Sequence, residues 1–321
     1  MHAARKISSL LVATVIFHVL IGCNSENLPA PAPQLAQDAA TNLRHARAVE
    51  AVIWGMPAVN YDLMLQEMLT KTPGKVGQVI YWGRPLDSKN QTLTPNPDAL
   101  YFMVFFNTKD GPVVLDLPPA TATGSFNANI VTLWQMPLED AGLLGLDKGK
   151  GAKYLVLPPG YKGKLPAGYV ALQSDTFGNY MLFRANFKSH SEADVQSAIN
   201  YGKQMRIYPL SAAAHPPLTT FTDVKDIDYD STIKYDSTFF DHLNNIIQSE
   251  PWLDRDRVMI DQLQSLGIEK GKPYQPSDQL KTTFKSAAQD ARAFLYAKYD
   301  AGFPPFFSAT SHWMSPPIPT S

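Results

Sequence analysis

A polar turn ahead of an apolar run contains the residues best suited to chemistry. Asn96, Asp98 and Tyr101 place an amide, a carboxylate and a phenol close together in the chain. A carboxylate and a phenol that face one pocket could bind a polar small molecule or exchange protons with it. The same residue types also form rigid turns, because Asn and Asp bond their own backbone and the neighbouring prolines restrict φ. The sequence leaves both interpretations open.

Two further residues could complete such a pocket. Arg184 ends the apolar run that begins at Tyr180. An arginine there either lies along the surface or enters a cavity, where its guanidinium would bind a carboxylate through two hydrogen bonds. Trp134, like Trp54 and Trp82, is either a core residue or part of an apolar ligand site. The candidate pocket therefore comprises Asn96, Asp98, Tyr101, Trp134 and Arg184.

Other catalytic patterns are missing from the sequence. It contains no Gly-x-Ser-x-Gly, P-loop or dinucleotide-binding motif. Five histidines have no second metal ligand at the spacing that a helical or hairpin metal site requires. They are His45, His190, His215, His242 and His312. The sequence therefore predicts neither a metal nor a cofactor, although ligands that are distant in the chain could still meet in the fold.

Cys23, the only cysteine of the 321 residues, predicts where the protein resides. An uncharged apolar stretch, Ile7 to Gly22, follows the cations Arg5 and Lys6 and leads directly into this cysteine. That order is typical of a secretory signal peptide. The small residue before the cysteine resembles the bacterial lipobox, where the thiol receives a diacylglycerol after cleavage. A membrane-spanning helix is disfavoured, because a span requires about 20 apolar residues and this stretch is shorter.

The resulting expectation is a lipoprotein of the cell envelope, with residues 1–22 as its signal peptide. Residues 23–37 would form a tether, whose proline-rich part, Leu28 to Gln37, would span roughly 30 Å in extended form. In enterobacteria-like hosts, lipoproteins retained in the inner membrane usually carry Asp directly after the lipidated cysteine. This chain has Asn24 there, which favours the outer membrane and a periplasm-facing protein. A net charge of −1 without a basic cluster argues against nucleic acid as a partner.

Hydrophobic periodicity predicts the elements that must position these residues. Helices are expected over 38–54 and 58–69, with Pro57 as an interruption. Short β-branched and aromatic runs then predict an antiparallel sheet or sandwich between about 76 and 187. These runs are 79–82, 100–106, 113–117, 128–134, 154–157, 169–173 and 180–183.

Helical periodicity returns after this sheet. Ser191 and Ser277 are the predicted N-caps of the first and last of these helices, and two more are expected at 236–247 and 254–266. The predicted fold class is α+β, an antiparallel sheet or sandwich flanked by N-terminal helices and a C-terminal helical region. The predicted divisions after the tether are a helical lead-in with a β-rich domain at 38–187, a helical region at 188–300 and a Pro/aromatic tail at 301–321.

Several segments carry a family resemblance. The most specific is Thr94-Pro95-Asn96 with Asp98 and Leu100-Tyr101, followed by Gly111-Pro112-Val113-Val114-Leu115 and Pro118. Supporting segments are Tyr154-Leu155-Val156 through Pro158-Pro159-Gly160 to Gly163 and Pro166, Tyr208-Pro209-Leu210-Ser211, and Leu266-Gly267-Ile268 with Gly271, Pro273 and Pro276. Together they resemble the domain of unknown function 1254 family over roughly residues 40 to 300.

The resemblance implies a secreted or lipid-anchored bacterial protein and gives no defined activity. The chain departs from the family pattern at Ala99, where Thr is common. Many members also carry a second β-rich domain, the domain of unknown function 1214, and this chain reaches Ser321 about where that domain would begin. The resemblance therefore allows a separate C-terminal partner domain.

Two functions are compatible with these residues. The favoured one is a lipid-anchored, periplasm-facing module that binds a small molecule or serves as an accessory protein, because no catalytic constellation is legible. The alternative is a hydrolase-type enzyme that uses Asp98 and Tyr101, with or without a metal. Convergence of these two side chains with a histidine or a second carboxylate around one cavity would favour the enzyme.

Overall fold

The computed structural model describes residues 33–92, 96–302 and 310. The predicted signal peptide, Cys23, Thr94-Pro95 and nearly all of the 301–321 tail lie outside the described residues. The chain divides into two compact units, Met1–Ala40 and Thr41–Ser321. Only a helical segment is described in the first unit, and the sheets and the remaining helices belong to the second.

Five α-helices and twelve β-strands make up the described residues. The helices are α1 (Pro33–Lys71), α2 (Glu192–Gly202), α3 (Thr238–Ser249), α4 (Arg257–Ser265) and α5 (Asp278–Gly302). The strands are β1 (Val79–Tyr81), β2 (Asn90–Gln91), β3 (Ala99–Asn107), β4 (Val113–Leu117), β5 (Ser125–Thr132), β6 (Pro137–Gly142), β7 (Ala152–Leu157), β8 (Val170–Gln173), β9 (Gly178–Asn186), β10 (Arg206–Pro209), β11 (Phe221–Asp223) and β12 (Tyr229–Asp230).

A six-stranded sheet with the order β11-β1-β3-β9-β5-β6 is the centre of the fold. Its neighbours pair antiparallel except β1 and β11, which run parallel. Every residue of β3 from Ala99 to Phe106 is buried. An apolar run without alternation is typical of a strand that is covered on both faces. The predicted sheet is therefore confirmed, with a parallel strand added at one edge.

A four-stranded sheet covers one face of this central sheet. Its order is β10-β4-β7-β8, and β7 and β8 run parallel. Leu100, Phe102 and Val104 of β3 pack with Leu115 of β4 and with Tyr201 of α2 in one buried cluster. The two sheets thus form a sandwich with aromatic side chains in its core, which confirms the predicted α+β class.

Helix α1 covers the opposite face of the six-stranded sheet. Met103 and Phe105 of β3 pack with Tyr61 and Met64 of α1. The ring centroids of Tyr61 and Phe105 are 5.5 Å apart in an edge-to-face arrangement, a geometry that aromatic pairs prefer. The alternation of β3 side chains between the two faces therefore joins the sandwich to the helical layer.

The helices share a core of their own beside this layer. Residues of α1, α3, α4 and α5 form one buried cluster, in which the rings of Phe240 and Phe284 stack at 3.9 Å. Gly55 of α1 lies where an added Cβ would meet Leu243 of α3 at 2.9 Å. The absence of a side chain at Gly55 therefore permits the close approach of the two helices.

The predicted break at Pro57 is wrong, because α1 continues through it as one helix. An interior proline costs about 3 kcal/mol of helix stability. Val52 and Val59, on either side of it, are fully buried, and burial of such a side chain contributes about 1.5–3 kcal/mol. Gln135, whose φ is 58°, also donates a hydrogen bond of 2.9 Å to the carbonyl of Pro57. Packing on both sides therefore outweighs the loss.

Two boundary expectations also need correction. Residues 33–37, predicted as extended tether, form the start of α1, and a proline is tolerated at a first helical position because its N–H is not needed there. The segment 188–300, predicted to be helical, contributes β10, β11 and β12 to the sheets. These strands have two to four residues, too few for a periodic signal.

The predicted caps are confirmed. The hydroxyl of Ser191 accepts a hydrogen bond from the N–H of Asp194 at 3.2 Å, and that of Ser277 accepts one from Leu280 at 3.2 Å. Gly267, placed by sequence just after the fourth helix, has a φ of 77°. Across the described residues, none of the helices is both long and apolar enough to cross a membrane.

Gly202 tests how tightly α2 packs on the sandwich. A Cβ at this position would lie 2.3 Å from Cζ of Phe102, whose ring is fully buried. We expect Gly202→Ala to lower the free energy of unfolding by about 1–3 kcal/mol, because the core is overpacked. Chemical denaturation measures the change.

Gly55→Ala is the matched control for this substitution. Its new Cβ would meet the flexible end of Leu243 at 2.9 Å, which can move aside. We expect a smaller loss than for Gly202→Ala. An equal or larger loss for Gly55→Ala would contradict the difference in packing.

Candidate functional site

The turn before β3 is built by hydrogen bonds of its own residues. The side-chain oxygen of Asn96 accepts from the N–H of Asp98 at 2.9 Å, and the N–H of Asn96 donates to the hydroxyl of Tyr101 at 3.2 Å. The Asp98 side chain is 76% exposed and lies 3.7 Å from Nε2 of His190. Asn96, and not Asp98, therefore caps the local amide, and the structured-turn interpretation accounts for this segment.

Arg184 lies beside this turn but is held against the sheet. It pairs with Tyr101 across β9 and β3, and its Cζ lies 5.6 Å from the centroid of the Tyr101 ring. Its Nη1 donates to the side-chain oxygen of Asn129 at 2.6 Å, and Nδ2 of Asn129 donates to Asp140 at 2.8 Å. The half-buried guanidinium is thus anchored by a neutral amide, and no carboxylate of the described residues forms an ion pair with it.

Trp134 does not join the other predicted pocket residues. It follows Thr132 of β5, which pairs with Asn179 of β9, five residues from Arg184 along that strand. Five residues of strand span about 17 Å. The Trp134 ring instead packs on Trp54, with centroids 4.6 Å apart. The structure therefore places Trp134 beside Trp54 and apart from Arg184, and the pocket of five residues stays a prediction.

Three of the described histidines, His45, His190 and His242, each lie beside one carboxylate. Nε2 of His45 lies 3.1 Å from Asp290, and Nδ1 of His242 lies 2.7 Å from Asp62. In the part of the chain that the structure describes, no group of three His, Cys, Asp or Glu side chains is arranged to hold a metal ion.

The Asp62–His242 pair is the site that sequence reasoning missed. Asp62 is buried within the apolar face of α1 and also accepts a 3.2 Å hydrogen bond from Gln66. Its partner His242 is 180 residues away in the sequence, so no local spacing pattern predicts the pair. A carboxylate on Nδ1 leaves Nε2 able to exchange a proton. Because the pair joins α1 to α3 and lines none of the cavities described below, we assign it to helix packing.

A buried carboxylate joins the helices to the sandwich. Glu250, at the end of α3, accepts hydrogen bonds from the N–H groups of Phe177 (2.6 Å) and Gly178 (2.8 Å) at the start of β9. Burial raises the pKa of Glu250 above its ordinary value of 4.5, although these two N–H groups oppose the change. Lys270 donates to the carbonyl of the same residue.

The raised pKa of Glu250 makes its contribution to folding dependent on pH. A folded pKa above the unfolded value adds stability that is present below pH 4.5 and is lost as the pH rises through the folded pKa. Glu250→Gln removes this titration and keeps the shape of the side chain. We expect the free energy of unfolding of the wild type, relative to this variant, to decrease between pH 4 and pH 7.

Chemical denaturation over this pH range measures that difference. Glu192→Gln, at an exposed position of α2, is the matched control and should show no such trend. An advantage of the wild type over Glu250→Gln that grows with pH would contradict the cause assigned to the shift.

A cleft of about 860 Å³ lies at one end of the sandwich. It lies where the turn between β3 and β4 crosses from one sheet to the other. The N–H of Leu210 bonds the carbonyl of Pro112 at 2.8 Å, and the N–H of Val79 bonds that of Thr220 at 3.0 Å. We call this cavity the sandwich cleft. Its walls are Val76, Gly77, Gln78, Phe106, Asn107, Asp110, Gly111, Pro112, Val113, Ile207, Tyr208, Pro209, Leu210, Ser211, Pro217, Leu218 and Thr220.

The walls of the sandwich cleft are mainly apolar and rigid. Pro112, Pro209 and Pro217 fix the backbone on its sides. Leu218 stands at the cleft with 95% of its surface exposed. Asp110 is the one charged residue among the described walls. A largely preformed apolar cleft with a few polar groups is suited to an organic small molecule.

Sequence reasoning placed no site in this cleft. The segments 111–113 and 208–211 carry part of the family resemblance. The structure brings both segments together on the walls of the sandwich cleft. Their proximity depends on β10, which pairs with β4. Because the four residues of β10 end in a proline, they give no clear strand signal.

A second cavity of about 710 Å³ lies between the segment 233–236 and α5. Lys234 and Arg292 are its two cations. Arg292 lies over the rings of Tyr235 and Tyr296, at 5.7 and 5.1 Å from their centroids. These ring contacts orient the guanidinium. The apolar sandwich cleft is therefore the better candidate for a ligand.

Residues 76–209 match the family described as Protein of unknown function (DUF1254). The chain contains a DUF1254 domain. The DUF1254 match begins just before β1, ends with β10, and includes most walls of the sandwich cleft. The description of this family assigns no activity to it.

One solved structure has a similar fold. The crystal structure of the VPA0106 protein from Vibrio parahaemolyticus has a TM-score of 0.59 at 15% sequence identity, covering 81% of this chain and 61% of that one. This chain thus spans 61% of the length of that relative. An uncharacterized protein from Burkholderia cenocepacia has a TM-score of 0.27 at 14% identity, over 57% and 53% of the two chains. No curated protein matches the chain.

Proposed function

We propose that the protein is a lipid-anchored, periplasm-facing module that binds an organic small molecule in the sandwich cleft. The observation that supports this function is the cleft itself. Its volume of about 860 Å³ lies within the range of roughly 300–1,000 Å³ of ligand sites. A separate C-terminal partner domain, which the family resemblance allows, remains part of this proposal.

The walls indicate which ligand would bind. An apolar body would contact Pro112, Leu210 and Leu218, and a hydrogen-bonding group would reach Gln78 or Asn107. The carboxylate of Asp110 disfavours an anion at this position, because like charges repel. The ligand class is therefore a neutral or cationic molecule with a substantial apolar part.

The hydrolase alternative is less well supported by the geometry. The hydroxyl of Tyr101 is bonded to the N–H of Asn96, whereas the exposed carboxylate of Asp98 lies near His190. The two proposed catalytic groups therefore have different partners, and neither lines the sandwich cleft. No specific observation favours hydrolysis over binding.

Removal of the apolar side chain at the cleft tests the binding function. We expect Leu218→Ser to weaken binding of the neutral dye N-phenyl-1-naphthylamine about fivefold, because partial burial of a leucine contributes about 1 kcal/mol. Fluorescence titration measures the dissociation constant. Leu144→Ser is the matched control, because Leu144 is also almost fully exposed but lies outside the cleft.

A second variant distinguishes dye binding in the cleft from nonspecific dye binding elsewhere on the surface. Ser211→Trp adds an indole at an exposed position of the wall, where it should fill the cleft and abolish dye binding without loss of stability. Equal dye affinity in the wild type, Leu218→Ser and Ser211→Trp would remove the ligand from this cleft.

The membrane anchor has its own test. We expect Cys23→Ser to release the protein from the membrane fraction, because the thiol that would carry the lipid is gone. Cell fractionation followed by immunoblotting measures the distribution. Association that still requires detergent would sink the anchor proposal, whereas association that a salt wash reverses would not.

A further inference from the structure

The loop between β6 and β7, residues 143–151, presents leucine side chains to solvent. Leu143 is 45% exposed, Leu144 is 90% exposed and Leu146 is 53% exposed. Single exposed leucines are ordinary, but three of them within four positions form an apolar patch on the surface. We call residues 143–146 the leucine tip.

An inward-facing carboxylate closes the loop behind the leucine tip. Asp147 accepts hydrogen bonds from the N–H of Gly142 (2.6 Å), the N–H of Gly151 (3.0 Å) and the hydroxyl of Tyr154 (2.9 Å). One side chain therefore ties both ends of the loop to β7. The leucines are held outward by this arrangement and do not result from a loose loop.

The backbone of the loop is also specialised. Lys148 has a φ of 49°, a conformation that costs a residue with a side chain about 1 kcal/mol or more. A Cβ at Gly145 would lie 2.3 Å from the carbonyl oxygen of Asp140, so this position must remain glycine. The loop thus keeps a strained and closely packed path in order to expose the leucines.

The charges around the leucine tip point to its partner. Lys148 and Lys150 are exposed, and neither has an ion-pair partner in the described part of the chain. The acidic Asp147 is turned inward. Glu139 and Asp140 lie on β6 at the base of the loop, where the exposed carboxylate of Asp140 accepts a hydrogen bond from Asn129. The outward surface of the loop therefore combines apolar side chains with two free cations.

We propose that this loop contacts a lipid membrane directly, with the leucine tip in the interfacial layer and Lys148 and Lys150 at anionic headgroups. Apolar side chains flanked by lysines bind such surfaces through buried area and electrostatic attraction. A protruding side chain such as Leu144, exposed over 90% of its surface, enters a soft lipid layer without a matching pocket. This inference depends neither on lipidation of Cys23 nor on a ligand in the sandwich cleft.

A site-specific fluorophore tests the membrane contact. Because Cys23 is the only cysteine, the full chain with Cys23→Ser accepts one label at a chosen position. Leu144→Cys and, as the control, Val258→Cys on α4, where Val258 is 71% exposed, are each labelled with an environment-sensitive nitrobenzoxadiazole group. Vesicles of phosphatidylcholine with about 30% phosphatidylglycerol should raise the emission at position 144 several-fold and shift it to the blue, because the label leaves water.

The label at position 258 should respond little to the same vesicles. Both labels are carried by the same chain, so membrane binding through the N-terminal segment affects them equally. An unchanged emission at position 144, or an equal change at both positions, would overturn the proposal. A change at position 144 that depends on protein concentration without vesicles would also overturn it, since the leucine tip would then bind protein.

Charge variants test the role of the lysines. Lys148→Gln with Lys150→Gln should lower the response of the position-144 label to anionic vesicles about tenfold and remove its salt dependence. The pair Lys162→Gln with Lys164→Gln has the same spacing at exposed positions of the loop before β8 and should change the response little. Equal effects of the two pairs would contradict a specific contact by this loop.

Discussion

The covering of the six-stranded sheet on both faces is the constraint on which the rest of the structure depends. β3 cannot face water on either side, because all its residues from Ala99 to Phe106 are buried. One set of its side chains requires the four-stranded sheet, and the other requires α1. The sandwich and the helical layer therefore stabilise one strand in common, and a loss on either side exposes large apolar area to water.

This constraint separates structure from recognition. Side chains in the interior of the central sheet are occupied by packing or by hydrogen bonds to neighbours, as Tyr101 and Arg184 are. Recognition must therefore use the margins of the sheets, where turns and edges leave room. The sandwich cleft lies at such a margin, and the leucine tip protrudes from another, between β6 and β7.

The sequence predicted the strands that are long and strongly apolar, and the caps that depend on local chemistry. β4 occupies 113–117 as predicted, and Ser191 caps its helix as predicted. The sequence-based predictions were wrong where contacts between distant segments determine the secondary structure. Continuation of α1 through Pro57 depends on burial against other elements, and the short β11 exists because β1 offers it an edge.

The candidate site followed the same division. The turn at Asn96 could be predicted from the sequence, because an Asn side chain commonly accepts a hydrogen bond from the N–H two residues later, here that of Asp98. The separation of Trp134 from Arg184 was not legible, since it depends on the register of β5 against β9. The sandwich cleft required the pairing of β10 with β4, and no property of either segment alone reveals that pairing.

The parallel pairing of β1 with β11 has a consequence for how the domain is delimited. Val79 is hydrogen-bonded to Thr220, eleven residues beyond the end of the family match at 209. A polypeptide cut at the boundaries of that match would leave the edge of β1 unpaired and one face of β3 without α1. Open edges and uncovered apolar faces favour aggregation. The segment that the family match covers is therefore smaller than the packed unit, which also includes α1 before it and β11 after it.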